Sequence, residues 1–285
     1  MIELQDIPEL HDPVMILAFE GWNDAGEAAT STLLHLAEAW DADPVAALDP
    51  EDYYDFQVTR PVVMGRPGQR RVDWRTTRVL LASPDELDRD VVLVLGIEPS
   101  FRWRTFCEEI VDLASDLGVR TVVSIGALLA DVPHTRPIPV SATSDDERTI
   151  HRYDLEASTY EGPTGIIGVV ADAARREDMA SISLWAGIPH YAGHVPSPKA
   201  TYAVLRALER LLDVSLPHGT LEEEARAWER GVDEAAEADE DIRAYVEQLE
   251  QAQDTAQLPE ASGDAIAKEF ERYLRRRRDD PPAAG

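Results

Sequence analysis

The densest group of side chains able to do chemistry is Glu20-Gly21-Trp22-Asn23-Asp24-Ala25-Gly26, set where a buried strand gives way to a helix. In an open parallel sheet such carboxyl ends form the ligand crevice. Glu20 or Asp24 would there act as general acid, base or metal ligand, and the N-terminus of the following helix would favour an anion. A structural alternative stands beside it: Asp24 caps the helix, Gly21 and Gly26 permit a tight turn, and Trp22 packs or serves an interface. The segment lacks the glycine spacing of a Walker A phosphate loop and of a dinucleotide fingerprint.

A second group, Gly126 to Pro137, carries Asp131, His134 and Arg136 after an expected central strand. A histidine and an arginine converging there would suit an anionic ligand; alternatively the segment is a proline-stiffened loop with Asp131 and Arg136 paired locally. Ser124 and Ser141 lie near His134 in sequence, but neither sits in a Gly-x-Ser-x-Gly elbow, and Cys107 falls in an expected helix. A third group, Trp185 to His194, places His190 and His194 four apart. Only a helix would bring them together, and Pro189 and Gly193 argue for a loop without a carboxylate to complete a metal set. Glu98 to Arg104 mixes Phe101 and Trp103 with Arg102 and Arg104, a composition suited to a protein interface. No catalytic, cofactor-binding or metal-binding residue is assigned from these motifs.

The elements that must position these groups are read from apolar patterning. Val14 to Phe19, Val91 to Leu95, Thr121 to Ile125 and Ser181 to Ala186 are continuous apolar runs, as expected of strands buried on both faces. Helical spacing marks about Ala25 to Trp40, Trp103 to Leu117, Thr164 to Arg176 and Ala200 to Leu212, while Pro44 to Leu81 reads as short β pieces between Pro and Gly turns. Strands alternating with helices predict a three-layer α/β/α sandwich with a largely parallel sheet over residues 1–216. Beyond Pro217 an acidic helical appendage is expected over 217–280. Leu221 to Leu249 form a narrow apolar seam broken only at Asp239, Ile266, Phe270 and Leu274 mark a shorter helix, and 281–285 should fray. The long seam is expected to dock on the domain rather than to form a free-standing zipper.

Composition narrows the function classes. With 55 acidic against 27 basic side chains, the formal net charge of −28 repels phosphate backbones, which excludes nucleic acid as a partner unless the charge is very unevenly spread. The clearest basic cluster in sequence is Arg275 to Arg278. No apolar stretch is long enough to cross a membrane, and the acidic first residues are unlike a secretory signal, so the expected location is cytoplasmic. One cysteine, Cys107, rules out an internal disulfide.

Taken in order, Phe19 to Gly26 (FEGWNDAG), Gly96 to Trp103 (GIEPSFRW), Gly126 to Pro137 (GALLADVPHTRP), Tyr160 to Gly168 (YEGPTGIIG) and Trp185 to Gly193 (WAGIPHYAG) resemble the proteasome assembly chaperone 2 family, in particular its actinobacterial branch. Leu258 to Phe270 is similar to the extension of that branch. The resemblance implies an α/β/α fold related to nucleoside phosphorylases and peptidyl hydrolases, and a role in assembling proteasome α rings in eukaryotic and archaeal relatives. Some archaeal relatives dock through a terminal hydrophobic-Tyr-x tail, whereas this chain ends Asp279-Asp280-Pro281-Pro282-Ala283-Ala284-Gly285.

The leading expectation is therefore a non-enzymatic protein-binding or assembly factor, homo-oligomeric, with proteasome subunits as candidate clients, no cofactor, and Trp22 and Trp103 as candidate interface residues. The alternative is an enzyme or binding protein for a small anionic or nucleoside-like ligand, held in a crevice of Glu20, Asn23, Asp24, Glu98, His134, Arg136 and His190. An ATP-grasp ligase would need a glycine-rich phosphate loop and an acidic magnesium pair, and neither is found.

Overall fold

A computed structural model describes residues 2–4, 7–193 and 196–256, with side chains over 7–193 and 196–254. The first half of the chain runs β1 (Ile2–Leu4), β2 (Val14–Glu20), α1 (Ala28–Ala39), β3 (Asp43–Leu48), the single turn α2 (Pro50–Tyr53), β4 (Val62–Met64), β5 (Arg71–Asp73), β6 (Arg78–Ala82), β7 (Val91–Ile97) and α3 (Trp103–Asp116). The second half runs β8 (Thr121–Ala130), β9 (Val140–Ser144), α4 (Glu147–Tyr153), β10 (Glu156–Ala157), α5 (Ile166–Arg176), β11 (Ala180–Pro189), α6 (Pro198–Leu212), α7 (Leu221–Glu237) and α8 (Glu240–Ala256).

Nine strands form one sheet in the order β1-β3-β6-β7-β2-β8-β11-β9-β10, and β4 and β5 form a separate hairpin. The four central strands β7, β2, β8 and β11 are mutually parallel. Antiparallel strands extend the sheet on both sides, through β6, β3 and β1 on one and β9 on the other. The continuous apolar runs have the cause expected of them. Val14, Ile16 and Ala18 of β2 enter the core under α1 and α6, while Met15, Leu17 and Phe19 enter the core under α3 and α5. Each of these side chains larger than alanine contributes about 1.5–3 kcal/mol by burial, so the middle strand is held on both faces.

The helix ends follow from local sequence. Ser197 accepts from the amide of Ala200 at 3.3 Å, and Pro198 opens α6, where a missing N–H costs nothing. The seam expected as one long helix is two. Asp239 Oδ1 accepts from the amides of Asp241 (3.0 Å) and Ile242 (3.2 Å), so the one charged break in the stripe caps α8 and ends the run. α7 packs on α6, and α8 packs on α7. The helix expected around Ile266, Phe270 and Leu274, the basic run Arg275 to Arg278, and the tail 281–285 lie outside the described residues. No helix among the described residues is long and apolar enough to cross a membrane.

Two further differences matter for the site. β8 and β11 are paired in parallel over their whole lengths, from Thr121 opposite Ala180 to Ala130 opposite Pro189. Gly126 to Ala130 is thus strand, not loop. The unexpected insert β9, α4 and β10 is polar and short, so it carries neither a long apolar run nor a helical stripe.

Candidate functional site

At the carboxyl ends of β2 and β7 the polar groups bind one another. Asn23 Nδ2 donates to Glu98 Oε1 at 2.9 Å, and the same oxygen accepts from the amide of Ile166, the first residue of α5, at 2.9 Å. α5 has Gly165 at its N-cap and no capping side chain of its own, so Glu98, just beyond the end of β7, supplies the cap. The amide of Glu98 donates to Glu20 O at 2.9 Å, and the amide of Ala127 donates to Asn23 O at 2.7 Å. Gly165 is needed for this closeness, because a Cβ there would stand 2.2 Å from Asn23 Oδ1. Gly126 likewise leaves room for the Trp185 ring, 2.6 Å from where its Cβ would be. All five sequence motifs therefore meet at the strand ends, held by bonds and close approaches among themselves.

Glu20 pairs with Arg75, at the root of the β4–β5 hairpin. Asp24 turns the other way, into the start of α1. Its Oδ1 accepts from the amides of Ala29 (2.8 Å) and Thr30 (3.3 Å), and its other oxygen accepts from the Thr30 hydroxyl. Burial pushes the Asp24 carboxyl up to about 6 against the pull of these bonds. The capping alternative raised from sequence describes this geometry, although the formal first residues of α1 lie further along the chain.

His134, Arg136 and His190 belong to a second network, closed by α7 and α8. His134 is buried: its amide donates to the Tyr191 hydroxyl at 2.7 Å, that hydroxyl lies 2.7 Å from Nδ1, and Nε2 lies 2.9 Å from Asp233 of α7. A proton on Nε2 satisfies all three contacts. Burial pushes the Tyr191 hydroxyl up to about 12, which keeps its proton in place. Lys199 reaches both the carbonyl of His134 and Glu229, one turn before Asp233. Arg136 binds Asp254 through Nη2 (2.8 Å) and Nε (3.3 Å) and Glu250 through Nη1 (3.1 Å). Tyr245 of α8 donates to Asp131 at 2.7 Å and packs edge-on against His190, whose Nδ1 stands 3.4 Å from Asp131. Asp131 and Arg136 are thus partnered by α8 rather than with each other, and the guanidinium that would have met an anion holds two carboxylates.

The seven candidate crevice residues are therefore distributed over these two networks. No group of three or more His, Cys, Asp or Glu side chains able to hold a metal occurs among the described residues; His194 lies outside them. Cys107 is buried in α3, and burial pushes its thiol up to about 12, far from a reactive thiolate. Of the candidate interface residues, Trp103 is half-buried, with Nε1 donating to Pro99 O at 2.7 Å. Trp22 packs on Leu128 and Ala130.

Two features are not singled out by the sequence motifs. The first is the surface of an arm, residues 57–75, whose β4–β5 hairpin falls within the stretch expected to form short β pieces. Val58 (79 % exposed), Val63 (63 %), Val62, Met64, Val72 and Trp74 all face solvent. Six arginines lie between 57 and 78 against the single acid Asp73. The signal was in the sequence, as apolar β residues interleaved with arginine in an otherwise acidic chain. The second is a cavity of about 260 Å³ between the sheet and α5. Its floor is Ser141 and Thr143 of β9 and Ser181 and Ser183 of β11, with Thr143 opposite Ser183. Alternating hydroxyls were the available signal.

The PAC2 family model matches residues 18–236. Among solved structures, a PAC2 family protein from Streptomyces avermitilis is 51 % identical with a TM-score of 0.78, covering 82 % of this chain and 100 % of that one. A proteasome-assembly chaperone homologue from Mycobacterium tuberculosis is 46 % identical with a TM-score of 0.75, covering 82 % and 99 %. An archaeal homolog of proteasome-assembly chaperone from Pyrococcus furiosus, 19 % identical with a TM-score of 0.58 over 89 % of this chain and 100 % of that one, shares the fold. No curated protein matches the chain. A match over most of the chain, with two actinobacterial relatives near half identity, shows that the protein belongs to the PAC2 family.

Proposed function

We propose that the protein is a non-enzymatic protein-binding factor of the assembly-chaperone kind, acting in the cytoplasm as a homo-oligomer, with α-type proteasome subunits as its candidate client. The observation that carries this reading is the arm. A two-stranded hairpin is marginal in water by itself, and this one turns its valines, Met64 and Trp74 outward rather than into either core. Exposed apolar residues set among arginines suit an acidic protein surface, which the arginines would orient and the apolar groups would hold. The Mycobacterium tuberculosis relative, a proteasome-assembly chaperone homologue, supports the choice of client. The enzymatic alternative has less support, since the carboxylates, histidines and arginine it would use are occupied in capping α5 and α1 and in clamping α7 and α8.

The test is affinity capture with tagged full-length protein from its native extract, in parallel with a Val63→Asp/Trp74→Ala variant. Recovery of α-type subunits or their precursors by the native arm and not by the variant is the expected result. If no proteasome subunit is recovered while other complexes survive the procedure, the client assignment falls. Recovery of nucleic acid through the arm in place of protein would overturn the protein-binding reading itself.

A further inference from the structure

The cavity beneath α5 is built differently from the rest of that sheet face. Elsewhere the face is mostly apolar: Met15, Leu17, Val92, Val94 and Val122 pack under α3 and α5, and Ser124 of β8 meets Ser183 at 3.3 Å. In β11 the alternation splits, with Ile182, Leu184 and Ala186 buried in the opposite core while Ser181, Ser183 and Trp185 turn to the α5 side. In β9, Ser141 and Thr143 do the same, standing opposite Trp185 and Ser183. The result is a floor of short hydroxyls where larger apolar side chains would have filled the space, walled by Trp185, Trp22 and Tyr160. The charges at its edge are already engaged. Asp146 accepts from the amide (2.8 Å) and hydroxyl (2.7 Å) of Thr149, and Arg175 pairs with Asp172 and Asp145.

Ser181 Oγ is buried without a hydrogen-bond partner among the described residues. So is Asn23 Oδ1, which lies behind the wall residue Gly165 and does not itself line the cavity. A buried polar atom left unpaired costs about 1–3 kcal/mol, and such atoms call for an explanation.

We propose that this cavity binds a small uncharged molecule whose core is a hydroxylated ring, either a monosaccharide or the sugar of a nucleoside. Serine and threonine hydroxyls both donate and accept, so they match ligand hydroxyls, which do the same. Aromatic walls match the flat face of a ring. The paired edge charges offer nothing to an anion. The volume lies just below the usual range of roughly 300–1,000 Å³ for ligand pockets, which limits the ligand to one ring or two.

This inference is independent of the arm and of any protein client. The full-length protein is titrated with D-glucose, D-ribose, adenosine and uridine, read by saturation-transfer NMR on the ligand and by tryptophan fluorescence. At least one of the four saturates. Ser181→Ala, which removes a hydroxyl without a hydrogen-bond partner among the described residues, weakens that binding about tenfold, the worth of one hydrogen bond. Ala171→Leu, a helix-compatible residue filling the cavity from α5, abolishes it while thermal unfolding stays cooperative. Saturation by the free sugars identifies a saccharide site, and saturation by the nucleosides alone a nucleoside site. Failure of all four to saturate overturns the proposal, as does binding that neither substitution weakens.

Discussion

At the strand ends, Glu98 bonds both Asn23 and the first amide of α5, Asp24 bonds two amides and a hydroxyl at the start of α1, and Arg136 grips two carboxylates of α8. On the arm, 57–75, Val58 and Val63 face solvent, in contact with neither core. The first region holds the residue types from which enzymes are made, and the fold has used them to satisfy its own backbone. The second holds residue types ordinarily found in cores, and the fold has left them outside. What separates structure from function here is not the chemistry a side chain could do but whether its partner is already in the same chain.

The contrast breaks hardest at Gly165. A Cβ there would be 2.2 Å from Asn23 Oδ1 and 2.8 Å from Nδ2, inside the network that caps α5. Gly165→Ala should cost about 3 kcal/mol by overpacking, read as a lowered denaturant midpoint. A near-neutral outcome would mean that the strand-end network is loose enough to serve a ligand after all.

Asp24 gives an effect of similar size through pH. Its carboxyl is raised from 3.8 to about 6, chiefly by burial, so the folded chain holds the proton more tightly than the unfolded one. The associated stabilisation is present at low pH and is lost as pH rises from 3.8 through about 6. At 1.36 kcal/mol per unit this is about 3 kcal/mol. Asp24→Asn keeps an oxygen for the amides of Ala29 and Thr30 and never ionises. Its stability relative to the native protein should therefore rise across that window and level off above it. Parallel pH profiles for the two proteins would show that Asp24 is better solvated than its position implies.

His134 probes the second network. His134→Ala removes the contacts to Tyr191 and Asp233 and leaves a buried hydroxyl short of a partner, a loss of about 2 kcal/mol. Amide hydrogen exchange should quicken first in α7 and α8, because the histidine is one of the bonds by which α7 is fastened to the loop after β8. Uniform quickening across the sheet would instead make it an ordinary core residue.

How much of this was legible depended on whether the signal was local. The central strands and α1, α3, α5 and α6 were readable because each carries its own apolar run or stripe, and Asp24 as a cap because helix and cap are adjacent in sequence. Glu98 capping α5 was not readable, since 68 positions separate donor and acceptor. The clamp of Arg136 by Asp254, 118 positions apart, was hidden for the same reason, and the anion reading followed from seeing the arginine without its carboxylates. In sequence Asp239 is a flaw in a stripe, but only its side-chain bonds to the next amides turn a flaw into a helix break. The cavity has no local mark in the apolar pattern, because Ser181 and Ser183 sit inside a run with the look of a uniformly buried strand, although alternation divides its two faces.

The smallest expected effect on stability is the most informative. Val63→Asp/Trp74→Ala exchanges solvent-facing groups that support neither core, so its unfolding free energy should stay within about 0.5 kcal/mol of the native protein, as for other surface substitutions. The contacts at stake lie within the arm: the edge-on meeting of Trp74 with Phe56 at its root and the cross-strand pairing of Val63 with Val72. Should stability fall by several kcal/mol, the arm would be a structural element, and its exposed valines would carry no argument for a partner. Should stability hold while oligomer mass or capture of a client changes, the apolar surface is kept for something outside the chain. A destabilising Gly165→Ala beside a silent arm variant would then locate folding in the residues that resemble an active site, and binding in the residues that resemble a core.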